Sequence, residues 1–424
     1  MTKKIITLFF VFCFIYPVIF RLVPIVSFRT IYGVIGAFVL VVFKRQQFIV
    51  NNNILKILYT PLPVFFVAII SNMINGTTET YFMNLMYSFL LVVLAAYVAT
   101  SMIKSTHGEI NFELISSYLI AAAVLQNFLS AMMLIFPDFG VFMLETLTVS
   151  EYGTTLTKVK DTRLLGVGGQ YVAHGIVNSF TLLMVVNKLK DKHNTKITIL
   201  LFFIFVFITV IGSMVSRTTL IGTTAGLILL FIYIRFQILK YLKKITLGVI
   251  LITVLYIVVI PSSMKTTFNK YFEYGFEMLY AYEEEGKLAT DSTDELKAMW
   301  YIQPNNLKTW IIGDGYFADP LSQHDYYMAT DVGYFRLIFY FGILGCITYI
   351  YYQYQIIKQA NLRTKRKHQI FFIFCFILFI ILNVKVLIEL VAILMLFLFS
   401  EDKIEDKKKG LVHDSKKKQI NDQS

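Results

Sequence analysis

Residues 312–336, IGDGYFADPLSQHDYYMATDVGYFR, gather proton-handling side chains in an otherwise apolar chain. His324 stands beside Asp325, and Asp331 follows shortly. A carboxylate orients an imidazole and raises its basicity. That is what a general base needs in order to take a hydroxyl proton near neutral pH. A lone histidine is more often structural than catalytic, so the spacing leaves both readings open. Asp314 sits between Gly313 and Gly315, but neither the Rossmann nor the P-loop pattern surrounds it. A turn at a membrane surface is its default reading. The aromatics nearby (Trp300, Tyr301, Trp310, Tyr316, Phe317, Tyr326, Tyr327) suit either sugar stacking or an interfacial belt.

Three arginines lie at the same kind of boundary between apolar and polar sequence. Arg163 is in TRLLGVGGQYVAHG (162–175), Arg217 in SMVSRTTLIG (213–222), and Arg336 one turn into an apolar run. A guanidinium presents a planar fork of donors that matches phosphate or carboxylate. Several of them at one membrane face can clamp a diphosphate. The plainer alternative is snorkelling to lipid headgroups, or, for Arg336, pairing with Asp331 or Asp325. Arg217 is the stronger case because its turn is very short. His174, among Gly169, Ala173 and Gly175, reads as a packing or inter-helix polar contact.

The elements that position these residues follow from composition. Of 424 residues, 57% are hydrophobic and 16% charged, and mean hydropathy is +0.65. Soluble domains carry roughly 45–50% apolar residues. Apolar runs of spanning length recur throughout and are apolar on all sides, which selects helices over a β-barrel. The expected fold is an all-α polytopic membrane protein of about twelve transmembrane helices. The spans fall near 5–24, 30–43, 54–74, 81–103, 114–136, 168–187, 197–214, 218–235, 245–261, 331–352, 370–384 and 386–399. The last two are short enough to suggest a re-entrant hairpin. The N-terminus lacks a small-residue cleavage site and reads as a retained helix. Cys13, Cys346 and Cys375 lie inside spans and imply neither disulfides nor metal.

The net charge of +12 is accounted for by basic connections rather than by nucleic acid. Segments 44–48, 187–196, 235–244 and 358–369 are basic, and with twelve spans all share one side with both termini. That side is the cytoplasm by the positive-inside rule. Residues 1–400 then form one transmembrane domain, and 401–424 a charged cytoplasmic tail expected to stay unfolded. Two long external loops remain, 137–165 and 262–330. The second holds eleven acidic residues and five lysines, a net of −6. Loops of that length are usually functional. Short helices are expected in it at 265–285 and 291–304.

Four stretches together resemble the O-antigen polymerase and ligase superfamily, and most of all the Wzy-type polymerases of bacterial polysaccharides. They are TRLLGVGG (162–169), VSRTTLIG (215–222), IIGDGYF (311–317), and QHDYY (323–327) followed by DVGYFRLIFYFGILG (331–345). The resemblance covers about residues 160–350 and rests on motif order and loop placement. It implies glycosyl transfer between polyprenyl-diphosphate-linked oligosaccharides at the outer face of the bacterial cytoplasmic membrane. A base takes the acceptor proton while arginines hold the leaving diphosphate. Carried over by position, Arg163 and Arg217 hold diphosphate, and His324 acts as base or positions the acceptor, with Asp325 and Asp331 beside it. Lys297, in DELKAMW, stands where the family tends to have arginine, and lysine brings charge without the fork. The family works without metal or cofactor, and no external carboxylate cluster here has a divalent-ion pattern. The implied partners are the lipid-linked oligosaccharides in the bilayer, a chain-length regulator and a flippase.

GQYVAHG follows Arg163 where the ligase branch has an Asn-Pro-Asn type segment, and Asp325 stands where that branch often has Asn. Both departures favour polymerase. A transporter or flippase of lipid-linked saccharide is the rival from another class. It calls for charges near the bilayer midplane. Only Lys385 and Glu389 offer a close pair there, at a spacing that lets them neutralise each other.

Overall fold

The computed structural model describes residues 1–21, 26–42, 57–148, 162–168, 171–191, 194–234, 246, 250, 265–286, 289–322, 325–389 and 391–401. These residues are overwhelmingly helical. Among the described residues, five helices are long and apolar enough to cross a membrane: α4 (Leu85–His107), α5 (Phe112–Ile135), α7 (Tyr171–Leu189), α8 (Thr195–Val215) and α13 (Gly333–Arg363). Shorter helices pack among them: α1 (Thr2–Ile15), α2 (Phe28–Val42), α3 (Leu62–Asn75), α9 (Thr218–Ile234) and α14 (Gln369–Leu382). The helix α6 (Pro137–Thr146) leads into a two-residue strand, Leu147–Thr148, which pairs antiparallel with Ile19–Phe20. The large polar segment contributes α10 (Lys265–Glu285), α11 (Asp291–Trp300) and α12 (Leu307–Ile311). The chain closes with α15 (Val391–Met395) and a short 3-10 turn at Leu396–Phe399. The expected span at 245–261, the basic segments 44–48 and 235–244, and the tail beyond Glu401 lie outside the described residues, apart from single positions.

Two ends of the bundle differ sharply. At one end Lys188 bridges Glu113 at 2.5 Å, Lys104 bridges Glu401 at 2.7 Å, and His368 stacks on Phe112 with centroids 3.6 Å apart. Thr7, near the start of α1, meets Thr106 at this same basic end. At the other, the loop end, α10–α12 and the ends of α3, α5, α8 and α13 meet.

Two expected spans take a different form. The first helix stops at Ile15 instead of continuing to residue 24. Pro17 biases Tyr16 to extended backbone, φ −102° and ψ 100°. The Arg29 guanidinium then donates to the carbonyls of Phe14 (2.7 Å) and Ile15 (2.8 Å), filling the last-turn acceptors. The segment 386–399 is not one helix. Residues 383–389 run irregularly, held by Tyr349 Oη donating to the Ile388 carbonyl (2.8 Å) and the Ile388 amide to Asn383 Oδ1 (3.3 Å). The chain then returns to the basic end, where Glu401 meets Lys104, the same end from which α14 starts beside His368. Non-helical backbone at such a place is tolerated when it is buried in protein or lines a cavity.

Helix α13 is broken at Phe341–Gly342, where Gly342 has φ +70°. The turn Ile311–Gly315 plugs this break. Asp314 and Gly315 donate their amides to the carbonyls of Phe339 (2.6 Å) and Tyr340 (3.0 Å). Any side chain on Gly342 would strike the Ile311 carbonyl. The Gly-Asp-Gly turn is therefore a docking device, and the Asp314 carboxylate is engaged by Thr309 Oγ1 at 2.7 Å.

Candidate functional site

Arg163 and Arg217 arrive from different elements and converge on one aromatic ring. Arg217 occupies the tight turn between α8 and α9, as the sequence predicts. It donates Nε to the Tyr274 carbonyl (3.0 Å) and Nη1 to Ser292 Oγ (2.9 Å), and it pairs with Glu277. Its guanidinium lies 4.2 Å from the Tyr274 ring centroid. Arg163 lies 4.8 Å from the same centroid and 4.0 Å from that of Tyr171. Arg163 Nε has no hydrogen-bond partner among the described residues. Burial raises the Tyr274 phenol, and the two guanidinium charges draw it back down.

Packing explains why α10 delivers Tyr274 here. Gly275 lies against the backbone of Ser213 and Met214, where a Cβ would come within 3.0 Å. The helix kinks at the next residue, Phe276. The Leu164 amide donates to the Met214 carbonyl (3.0 Å), pinning the Arg163 segment to the end of α8.

Beneath this pair runs an apolar groove of about 870 Å³ between α5 and α8. Its walls run from Ser117 to Ile135 on α5, about 27 Å at 1.5 Å per residue. That nearly matches the roughly 30 Å hydrocarbon thickness of a bilayer. Lys188 marks its basic end and Phe268 of α10 its loop end. Phe268 packs in one apolar cluster with Leu134, Leu164 and Met214, and Tyr171 joins that cluster. The loop end of the groove therefore adjoins the cluster that holds Tyr171 and Leu164, the neighbour of Arg163, although neither arginine lines the groove.

Arg336 has a different setting. It is only 6% exposed and is clamped between two rings, 4.1 Å from Phe317 and 3.5 Å from Tyr326. Its Nε and Nη2 have no hydrogen-bond partner among the described residues, and no ion pair there joins it to Asp331 or Asp325. The clamp is a small hairpin, with Ala318 bridging Tyr326 and the Asp319 amide donating to the Asp325 carbonyl (2.9 Å). His324, expected as the base, lies outside the described residues. Asp325 is exposed, and its carboxylate accepts from Ser322 Oγ at 2.5 Å within the hairpin. Protein packed around Asp331 raises its carboxyl, while the Arg336 and Lys385 charges lower it.

Two other sequence candidates separate from these groups. Lys297 pairs with Asp294 at 2.8 Å on an exposed face of α11, away from Tyr274. His174 is buried, with Nε2 against the Gly168 carbonyl at 2.7 Å and its ring edge-on to Tyr16, the inter-helix contact read from its neighbours. Several residues escaped sequence reasoning. Tyr274, Glu277 and Ser292 surround Arg217, and Lys385 lies in electrostatic range of Arg163, Arg217, Asp331 and Glu277. The only available signal was the aromatic spacing of 265–285, which reads equally as helix packing. Lys385 and Glu389 do not share a helix face, so they do not pair as their spacing suggests. Among the described residues no three His, Cys, Asp or Glu side chains gather as a metal site. Comparison with protein-family models, curated proteins and solved structures returns no match to this chain.

Proposed function

We propose that this chain is a membrane glycosyltransferase that joins polyprenyl-diphosphate-linked oligosaccharide repeat units. The observation that carries the reading is the pair of arginines on Tyr274, joined through the Leu164–Phe268 cluster to the loop end of a groove about as long as a bilayer is thick. A polyprenyl diphosphate has this shape: a long apolar tail joined to a compact polyanion. Burying the tail in the groove is favourable by roughly 25 cal/mol per Å² of apolar area removed from water. The diphosphate then lies beside Arg163, whose Nε is unpaired, and Arg217, two of whose five N–H donors remain after its internal contacts. Charge develops on that diphosphate as the glycosidic bond to it breaks, and fixed cations stabilise it. The four family-like stretches point to the same chemistry, with the loop end outside the cytoplasmic membrane. His324 remains the expected base, and Asp331, in electrostatic range of Arg336, is a carboxylate of raised basicity. Tethering both substrates in the bilayer raises their effective concentration.

The test is a product ladder in the native host. The gene is deleted, then restored as wild type, Arg217→Ala, Arg217→Lys and His324→Ala, at equal membrane levels. The reading expects single repeat units on lipid in the deletion, a ladder with wild type and none with Arg217→Ala. A deletion that keeps its ladder but loses surface polymer turns the reading to ligase or export.

A further inference from the structure

A second cavity, of about 220 Å³, lies between the start of α4, the middle of α13 and the irregular segment 387–389. It is distinct from the groove, which belongs to α5 and α8. Asn84 and Ser88 line it from the start of α4 and Glu389 from the irregular segment, and Tyr81, Phe82 and Tyr349 supply aromatic surface. Tyr81 stacks on Phe317 at 3.4 Å, so the roof of the cavity is continuous with the hairpin over Arg336. Asn84, Ser88 and Tyr81 are exposed, which leaves the cavity open to entry.

Glu389 is the unusual member. A carboxylate among apolar helices is costly and marks function by default. One oxygen, Oε1, accepts from Tyr352 Oη at 3.1 Å, and Arg29 balances the charge from a distance. Glu389 lines the cavity and is exposed. Tyr349 and Asn383 hold the Ile388 backbone, which fixes the direction of Glu389. A divalent cation needs six to eight oxygen ligands, and this lining offers one carboxylate. The volume equals about seven waters at roughly 30 Å³ each, or a single pyranose ring. Mixed aromatic faces with an amide, a hydroxyl and a carboxylate acceptor match a ring bearing hydroxyl donors.

We infer that this cavity is a saccharide subsite, taking one sugar ring of the acceptor chain with Glu389 accepting hydrogen bonds from its hydroxyls. The inference rests on the glycosyltransferase reading for the word acceptor, but sugar binding itself does not require it. The donor diphosphate occupies the Arg163–Arg217 pair. The acceptor ring sits beside Tyr81, which stacks on the Phe317 ring that covers Arg336, and Lys385 is in electrostatic range of both Asp331 and the arginine pair.

The experiment uses full-length protein in lipid nanodiscs carrying Ser88→Cys, with maleimide labelling as readout. Cys13, Cys346 and Cys375 are buried, so background is low. The probe is the oligosaccharide released by mild acid from the host's polyprenyl-linked pool, at about 10 mM, well above the ~1 mM Kd of a weak site. Labelling is expected to slow several-fold. Adding Glu389→Gln weakens protection about tenfold, as loss of a charged hydrogen bond requires. Adding Arg217→Ala leaves protection unchanged, which separates this subsite from the diphosphate site. Should Ser88→Cys fail to fold, Asn84→Cys reports on the same wall. Unslowed labelling, or protection indifferent to Glu389→Gln, overturns the subsite. Protection by calcium chloride alone replaces it with a cation site. Protection by sugar in a protein that makes no ladder keeps the subsite and sinks the polymerase reading.

Discussion

Replacing Tyr274 tests whether a ring preorganises the arginine pair. Arg217 and Arg163 lie 4.2 and 4.8 Å from its centroid, so the two cations are at most about 9 Å apart. At an effective dielectric constant near 20 they repel by about 2 kcal/mol. Each cation–π contact returns about 0.5–2 kcal/mol, so the ring roughly offsets the repulsion in the empty site. Tyr274→Ala removes both stacks and lets the guanidinium groups splay. Re-collecting them around a diphosphate then costs about 1–3 kcal/mol, a roughly 5- to 150-fold weaker Kd. Tyr274→Phe keeps both stacks and the backbone carbonyl that accepts from Arg217 Nε, so it should bind within about threefold of wild type. The assay is equilibrium binding of a polyprenyl diphosphate to nanodisc-embedded protein. If Phe weakens binding as much as Ala, the hydroxyl and not the ring matters. If Ala binds as wild type does, the ring does not organise the site.

Filling the groove should block the tail: Ala131→Trp, on its wall, is expected to abolish chain extension at normal membrane levels, whereas Ile373→Trp on the exposed face of α14 is expected to be silent in the same ladder assay. His368 predicts a pH-dependent stability. Burial is the main cause of its pKa falling to about 4, and the nearby Lys190 adds to the fall. The neutral ring accepts from Asn187 Nδ2 at 3.0 Å. The unfolded chain therefore binds the proton first. The stabilisation is present in full above about pH 6.5 and is lost as pH falls towards 4, up to about 3 kcal/mol. The thermal midpoint in detergent should drop between pH 7.5 and 5, and His368→Gln should flatten that dependence.

Hydropathy made the helical class legible, because unbroken apolar runs leave backbone groups no partner but their own helix. It also located α4, α5, α7, α8 and α13 to within a few residues at most ends. It failed where polar contacts decide the backbone. Arg29 ends α1 early by capping Phe14 and Ile15, and Tyr349 and Asn383 hold 383–389 out of helix. A window average carries no trace of either contact. At the site, Arg217 stood out because its turn is two residues long, and a charge so confined must face the bundle. Tyr274, Glu277 and Ser292 did not, since their meeting with Arg217 depends on the approach of α10 at Gly275. Lys297 looked equivalent to the arginines by charge, yet a partner one turn away, Asp294, holds it on an exposed face.

The most direct measurement uses purified protein in sealed vesicles supplied only with its host's lipid-linked repeat unit. The account predicts chains of two or more units, with one polyprenyl diphosphate released per bond formed and none formed by Arg217→Ala. Saccharide that crosses to the vesicle lumen with no bond formed and no diphosphate lipid released would contradict it, and would make the chain a transporter.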